Sequence, residues 1–258
     1  MFVVVGFLIS ATYIKLRYRD LHSGKLGFAK NSQFYCGIMC RVFNVEVRTK
    51  GHPTTDTNFL YVGNHMGFVD IFAVSSLIPA LFITSQEMRE TPVLGTLCEM
   101  AGCIFVERRK RSQIMNEVGS LAQALRDGYN IVLYPEATST NGEQVLPFKK
   151  TLMTSAAQAN RPIQPGVVNF LEIDGEAYSM NTRDSVCWYG ETGFVQAIWQ
   201  TAKAKNIITE VEFLPIFTAT PDMDRAYIAE QVHSAVKAHY RPPAPYAELA
   251  PLEIAEES

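Results

Sequence analysis

Seven short apolar runs rich in β-branched and aromatic residues punctuate this chain, and stretches of helical periodicity separate most of them. The runs are FNVEVR (43–48), NFLYVG (58–63), ALFIT (80–84), GCIFVE (102–107), NIVLYP (130–135), IQPGVVNF (163–170) and TEVEFLPI (209–216), each of strand length. Helical patterns fall at about 70–78, 92–100, 111–127, 149–160, 193–205 and 222–240, the last with Asp222 or Asp224 at its start. Parallel strands need long crossovers, usually helices, so this alternation predicts an α/β fold: a mixed, mainly parallel central sheet flanked by helices on both faces. The 258 residues show no compositional break, so one such domain is expected over 43–241.

Two helical segments precede it. MFVVVGFLISATY supplies about thirteen nearly continuous apolar residues where roughly twenty are needed to span a bilayer. Its basic residues, Lys15, Arg17 and Arg19, follow the run, whereas a secretory signal carries them in front. An anchor helix lying in the membrane interface fits this pattern, and a buried core helix is the alternative. Residues 25–43 place Phe28, Phe34, Tyr35, Ile38, Met39, Val42 and Phe43 near helical period. Residues 1–42 are therefore expected to form a membrane-associating helical segment. Residues 1–50 hold eight Lys or Arg against Asp20 and Glu46, a net of +6 in a chain of net −3, which suits an anionic lipid surface. The overall charge gives no sign of a nucleic-acid partner. Cysteines 36, 40, 98, 103 and 187 form neither a CxxC nor a paired Cys/His spacing, so no metal site or disulfide framework is expected and a reducing, cytoplasmic setting fits. After Arg241 the chain reads PPAPYAELAPLEIAEES, expected as a flexible acidic tail over 242–258.

Three clusters carry candidate chemistry. In NHMGFVD, the strand ends at Gly63, Asn64 and His65 occupy the turn, and the next helix starts near Asp70. That puts His65 at a strand's carboxyl end, where open α/β sheets keep their sites. Asp70 reads either as a helix cap or as the carboxylate of a dyad that fixes the His65 tautomer and lets its other nitrogen take a proton. In GCIFVERRKRS, four consecutive cations follow a strand, and Arg108, the first of them, is the candidate phosphate clamp; a solvated basic turn explains the others equally well. In VLYPEATSTNGEQVLPFKK, Pro135 stiffens a turn that presents Glu136 at the same sheet edge, with Thr138, Ser139 and Thr140 adding hydroxyls and Asn141-Gly142 turning the loop. RPIQPGVVNF alone reads as a strand with two prolines.

Taken in order, NHMGFVD, GCIFVER, YPEATS and RPIQPGVV resemble the four sequence blocks of the glycerolipid and lysophospholipid acyltransferases, a family that includes the 1-acylglycerol-3-phosphate acyltransferases. The resemblance covers about residues 40–215. It implies acyl transfer from acyl-CoA or acyl carrier protein, as co-substrate and without a cofactor, to a lysolipid hydroxyl at the cytoplasmic face of a membrane. It assigns His65 as general base and Asp70 as its orienting group, gives Asn64, Thr138 and Ser139 to substrate binding, Arg108 to the acceptor's phosphate, Glu136 to acceptor binding or site geometry, and Pro162 to the acyl side. No G-x-S-x-G elbow suggests a serine nucleophile. The third block departs from the usual Pro-Glu-Gly-Thr-Arg: Ala137 replaces the glycine and Ser139 the arginine. The favoured acceptor is 1-acylglycerol-3-phosphate, yet losing a phosphate-binding cation weakens that choice, and TSTNGEQVLPFK looks more like the branch that acylates lyso-ornithine lipids. A non-catalytic lipid-binding homologue and a thioesterase are the rivals.

Overall fold

The structure is a computed structural model and describes residues 2–18, 21–107 and 114–246. Strands β1 (Val45–Lys50), β2 (Leu60–Gly63), β3 (Ala80–Ser85), β4 (Ile104–Val106), β5 (Asn130–Leu133), β6 (Ile163–Ile173), β7 (Glu176–Ala177) and β8 (Ile207–Phe213) form one sheet. Its order is β1-β8-β6-β2-β5-β3-β4, with β7 paired to β6. β6, β2, β5, β3 and β4 run in one direction, while β8 is antiparallel to β6 and parallel to β1. All seven anticipated strands are present, within two or three residues at their ends; β7 is too short to leave a sequence signal.

Burial explains why the central strands read as unbroken apolar runs. β2 is buried at every position, because helices cover both faces of the sheet. On one face lie α6 (Ile114–Arg126), α7 (Thr154–Ala159) and α9 (Arg225–His239), packing Leu121, Leu125, Met153, Ile228 and Val232 against Leu60, Val62 and Ile131. α6 buries Val118, Leu121, Ala122 and Leu125 at helical spacing, and Asp224 caps α9 by accepting from the Ala226 and Tyr227 amides. On the other face α2 (Leu21–Val42), α3 (Phe68–Leu77) and α8 (Phe194–Lys203) enclose a second core around Phe43, Phe68, Val69, Val74 and Tyr61. α5 (Leu94–Met100) fills the helix expected over 92–100, and the short α4 (Gln86–Glu90) ahead of it was not anticipated. α3 begins two residues ahead of expectation, so Asp70 lies inside its first turn rather than before it.

α1 (Phe2–Arg17) packs along α2: the Ser10 hydroxyl donates to Asn31 Oδ1 at 2.8 Å, the Phe7 and Tyr35 rings meet edge to face, and Gly27 lets Ile14 close against the backbone. Its other side leaves Phe2, Val5, Ile9, Tyr13 and Leu16 exposed in a stripe at helical spacing. Among the described residues no helix is long and apolar enough to cross a membrane. All five cysteines are free. The chain stays tied down past Arg241, since the Ala244 amide donates to Tyr178 O and its carbonyl accepts from the Met180 amide; the expected tail is thus anchored at its start, and residues 247–258 lie outside the described residues.

Candidate active site

The turn between β2 and α3 is built around two buried polar side chains. Asn64 spans to β6, donating from Nδ2 to Val168 O at 3.0 Å and accepting from the Val168 amide at 2.9 Å. Asp70 accepts from the Met66 amide at 2.5 Å and the Gly67 amide at 3.1 Å, so the first turn of α3 holds its carboxylate with two N–H donors at the positive end of the helix. Both Asp70 oxygens then stand 3.1 Å from His65 Nδ1. This arrangement favours a proton on Nδ1 and leaves Nε2 as the basic nitrogen; Nε2 has no partner among the described residues. Gly67 is required because Val186 and Trp188 approach its backbone too closely for a side chain.

The segment after β5 wraps the same histidine. Tyr134 lies flat under the His65 ring, centroids 4.3 Å apart and planes within 5°. Glu136 is buried, with one carboxylate oxygen accepting from the His65 amide and the other from the Leu146 amide, each at 2.7 Å. Burial pushes the Glu136 carboxyl up to about 7, against the pull of those two donors. The Thr140 amide and hydroxyl both donate to His65 O, at 2.9 and 3.2 Å. Ser139 donates its hydroxyl to Trp188 O, and the Trp188 amide donates to Met66 O. Ala137 takes φ of +64°, a left-handed conformation that glycine adopts without strain.

A cavity of about 660 Å³ opens against this cluster. His65, Tyr134, Thr138 and Ser139 line it together with apolar side chains of α1, α2, α3, α5 and α8, among them Phe7, Met39 and Phe72. An imidazole nitrogen with no partner among the described residues, an oriented carboxylate and an apolar chamber together equip the site to deprotonate a hydroxyl beside a long apolar group. Among the described residues no cluster of His, Cys, Asp and Glu is placed to hold a metal ion.

Several sequence expectations change here. His65, Asp70, Glu136, Thr138 and Ser139 come together; of the two roles open to Glu136, its contacts are those of site geometry, bracing the His65 and Leu146 amides, and it does not line the cavity. Asn64 does not line the cavity: its amide is buried and hydrogen-bonded to Val168. Pro162 precedes Ile163, which pairs with Leu60 at the start of β2, so it sits about 13 Å from the level of Gly63 at the opposite sheet edge and lines no part of the cavity. Arg108 lies outside the described residues. Tyr134 and Trp188 escaped notice as site residues. The signal for Tyr134 was its place at the end of a strand that delivers Glu136; nothing local marks Trp188.

A family model described as Acyltransferase matches residues 44–169, which include the whole of this cluster up to β6. The 1-acyl-sn-glycerol-3-phosphate acyltransferase of Neisseria gonorrhoeae is 28% identical over 186 residues, 72% of this chain and 71% of that one. The lyso-ornithine lipid O-acyltransferase of Brucella abortus is 28% identical over 248 residues, 92% of each chain. The crystal structure of a 1-acyl-sn-glycerophosphate acyltransferase from Thermotoga maritima superposes with a TM-score of 0.60 at 17% identity, covering 92% of this chain and 94% of that one, a likeness of fold.

Proposed function

Because this chain belongs to the acyltransferase family and is an acyltransferase, we propose that it works at a membrane, moving an acyl chain from acyl-CoA or acyl carrier protein to the hydroxyl of a lysolipid. The favoured acceptor is 1-acylglycerol-3-phosphate, giving phosphatidic acid. One observation carries the reading: His65 is fixed through Nδ1 by a buried aspartate while Nε2, without a partner among the described residues, is left at an apolar cavity. His65 Nε2 takes the proton of the acceptor hydroxyl as its oxygen attacks the thioester carbonyl. The tetrahedral intermediate collapses by expelling the thiolate, which takes the proton back from the imidazolium. Asp70 holds the ring and balances its transient charge. The acyl chain occupies the cavity, and the exposed stripe of α1, with Lys15 and Arg17 at its end, rests in the headgroup region of the cytoplasmic leaflet. Arg108 is retained as the proposed phosphate contact.

A second acceptor, lyso-ornithine lipid, has its own support. The Brucella relative aligns with 92% of both chains, against 72% and 71% for the Neisseria relative at equal identity. Ser139, where the usual third block has arginine, spends its hydroxyl on Trp188 and supplies no cation.

The test is an acceptor panel. Membranes carrying the full chain, and a His65→Ala control, are given radiolabelled acyl-CoA or acyl carrier protein thioester with 1-acylglycerol-3-phosphate, lysophosphatidylethanolamine or lyso-ornithine lipid. Labelled phosphatidic acid, reduced at least about 100-fold in the control, is expected. Product with lyso-ornithine lipid alone moves the function to the second acceptor. Thioester cleavage at the same rate with and without acceptor refutes both.

A further inference from the structure

We propose that Tyr134 is a positioning residue for His65, setting the plane of the imidazole through the face of its phenol ring. The inference rests on the proposed role of His65 as base.

Asp70 does not fix that plane by itself. Its two oxygens stand at equal distances from Nδ1, so the contact defines a direction and leaves the ring free to rotate about it. The second restraint comes from Tyr134, parallel within 5° at a centroid distance of 4.3 Å. Tyr134 is itself held: Pro135 follows it, Phe82 packs against it at 6.3 Å, and the ring is buried. Its hydroxyl has no hydrogen-bond partner among the described residues. A buried unpaired hydroxyl is a cost that a phenylalanine would avoid, so the ring face, and no hydrogen bond, is what this position contributes at His65. Burial pushes the phenol well above the usual tyrosine range, so the ring stays neutral.

A neutral aromatic face does two things for a general base. It keeps Nε2 aimed at the cavity, and it stabilises the imidazolium that forms when the proton arrives. The other titratable groups against His65 are Asp70 on α3 and Glu136 after β5; Tyr61 and Cys187, both raised by burial and neutral, stand behind Asp70.

The experiment compares Tyr134→Phe and Tyr134→Met in the full chain with wild type and His65→Ala. Phenylalanine keeps the ring; methionine fills the space without one. Four quantities are read: kcat, KM for thioester and acceptor, the pH–rate profile, and the His65 ring-proton signals, which a stacked phenol displaces upfield. Tyr134→Phe should keep the upfield displacement and the position of the acid limb, and lose clearly less kcat than Tyr134→Met. Tyr134→Met should lose about three- to tenfold in kcat, keep both KM values, shift the acid limb of its profile to lower pH by up to about one unit, and lose the upfield displacement. A methionine variant with wild-type kcat and an unshifted profile overturns the proposal, and so does a phenylalanine variant that behaves like methionine. If methionine prevents folding, wild-type and phenylalanine His65 signals without upfield displacement overturn it instead. An active His65→Ala variant would defeat the base assignment itself, whatever the signals show.

Discussion

Asp70 satisfies three donors with one carboxylate, and that economy makes its substitution informative. In Asp70→Asn the amide oxygen can still accept from the Met66 and Gly67 amides, but the Nδ2 group then faces His65 Nδ1 and stabilises the wrong tautomer. We expect kcat to fall by at least about 100-fold with little change in melting temperature; equal losses in both would mean that Asp70 serves the fold alone. Glu136 yields a pH prediction. Its carboxyl is held above the ordinary value, near 7 against 4.5, so the native state prefers the protonated form. Its stabilising contribution is complete below about 4.5 and is lost as pH rises through about 7. Wild type should therefore lose stability relative to Glu136→Gln over that window, and thermal melts across pH would expose a constant gap if burial were not the cause. The His–Asp pair was legible because its five-residue spacing is local. The brace was not, since Glu136 reaches an amide 71 positions away and sequence carries no trace of such a partner.

At the scale of elements, periodicity located the strands and most helices because each element's burial follows its own repeat. The assignment of Pro162 came from the family resemblance and not from periodicity: a strand pattern says nothing about which end faces the site, and only the register of β6 against β2 settles that. The same pairing makes the Asn64 clamp a testable joint. Asn64→Leu keeps the branched shape but strips the Val168 carbonyl and amide of their buried partners, at about 1–3 kcal/mol each. Melting temperature and kcat should fall together, whereas an unchanged melting temperature would show that water or relaxation replaces the clamp. Ala137 offers the opposite experiment: glycine at φ of +64° should be neutral or stabilise by up to about 1 kcal/mol in denaturant titrations.

Over the whole molecule, α1 faces two ways. The sequence suggested a lipid contact, yet Val3, Val4 and Phe7 also line the cavity that ends at His65. Removing residues 2–17 should therefore depress activity on detergent-dispersed acceptor as well as on vesicles. Changing only the outer stripe, as in Ile9→Ser with Leu16→Ser, should reduce vesicle sedimentation and spare the detergent assay. If the double variant sediments like wild type, the outer stripe is not the lipid contact. The cavity was invisible to sequence reading because its walls come from six helices and β3, whose inward residues look like any other core positions.

The sheet order also has a history in it. β1 leaves the ribosome early, but its neighbour is β8, and everything between them must be synthesised first. At about 5–20 residues per second the wait lasts roughly 10–30 s. Throughout it, a strand with open hydrogen-bonding groups and an apolar helix stand together on the nascent chain, an invitation to aggregate. A chain that stalls ahead of Ile207 never closes this edge, so successful biogenesis depends on elongation outrunning self-association, or on a chaperone or bilayer that shelters the growing end.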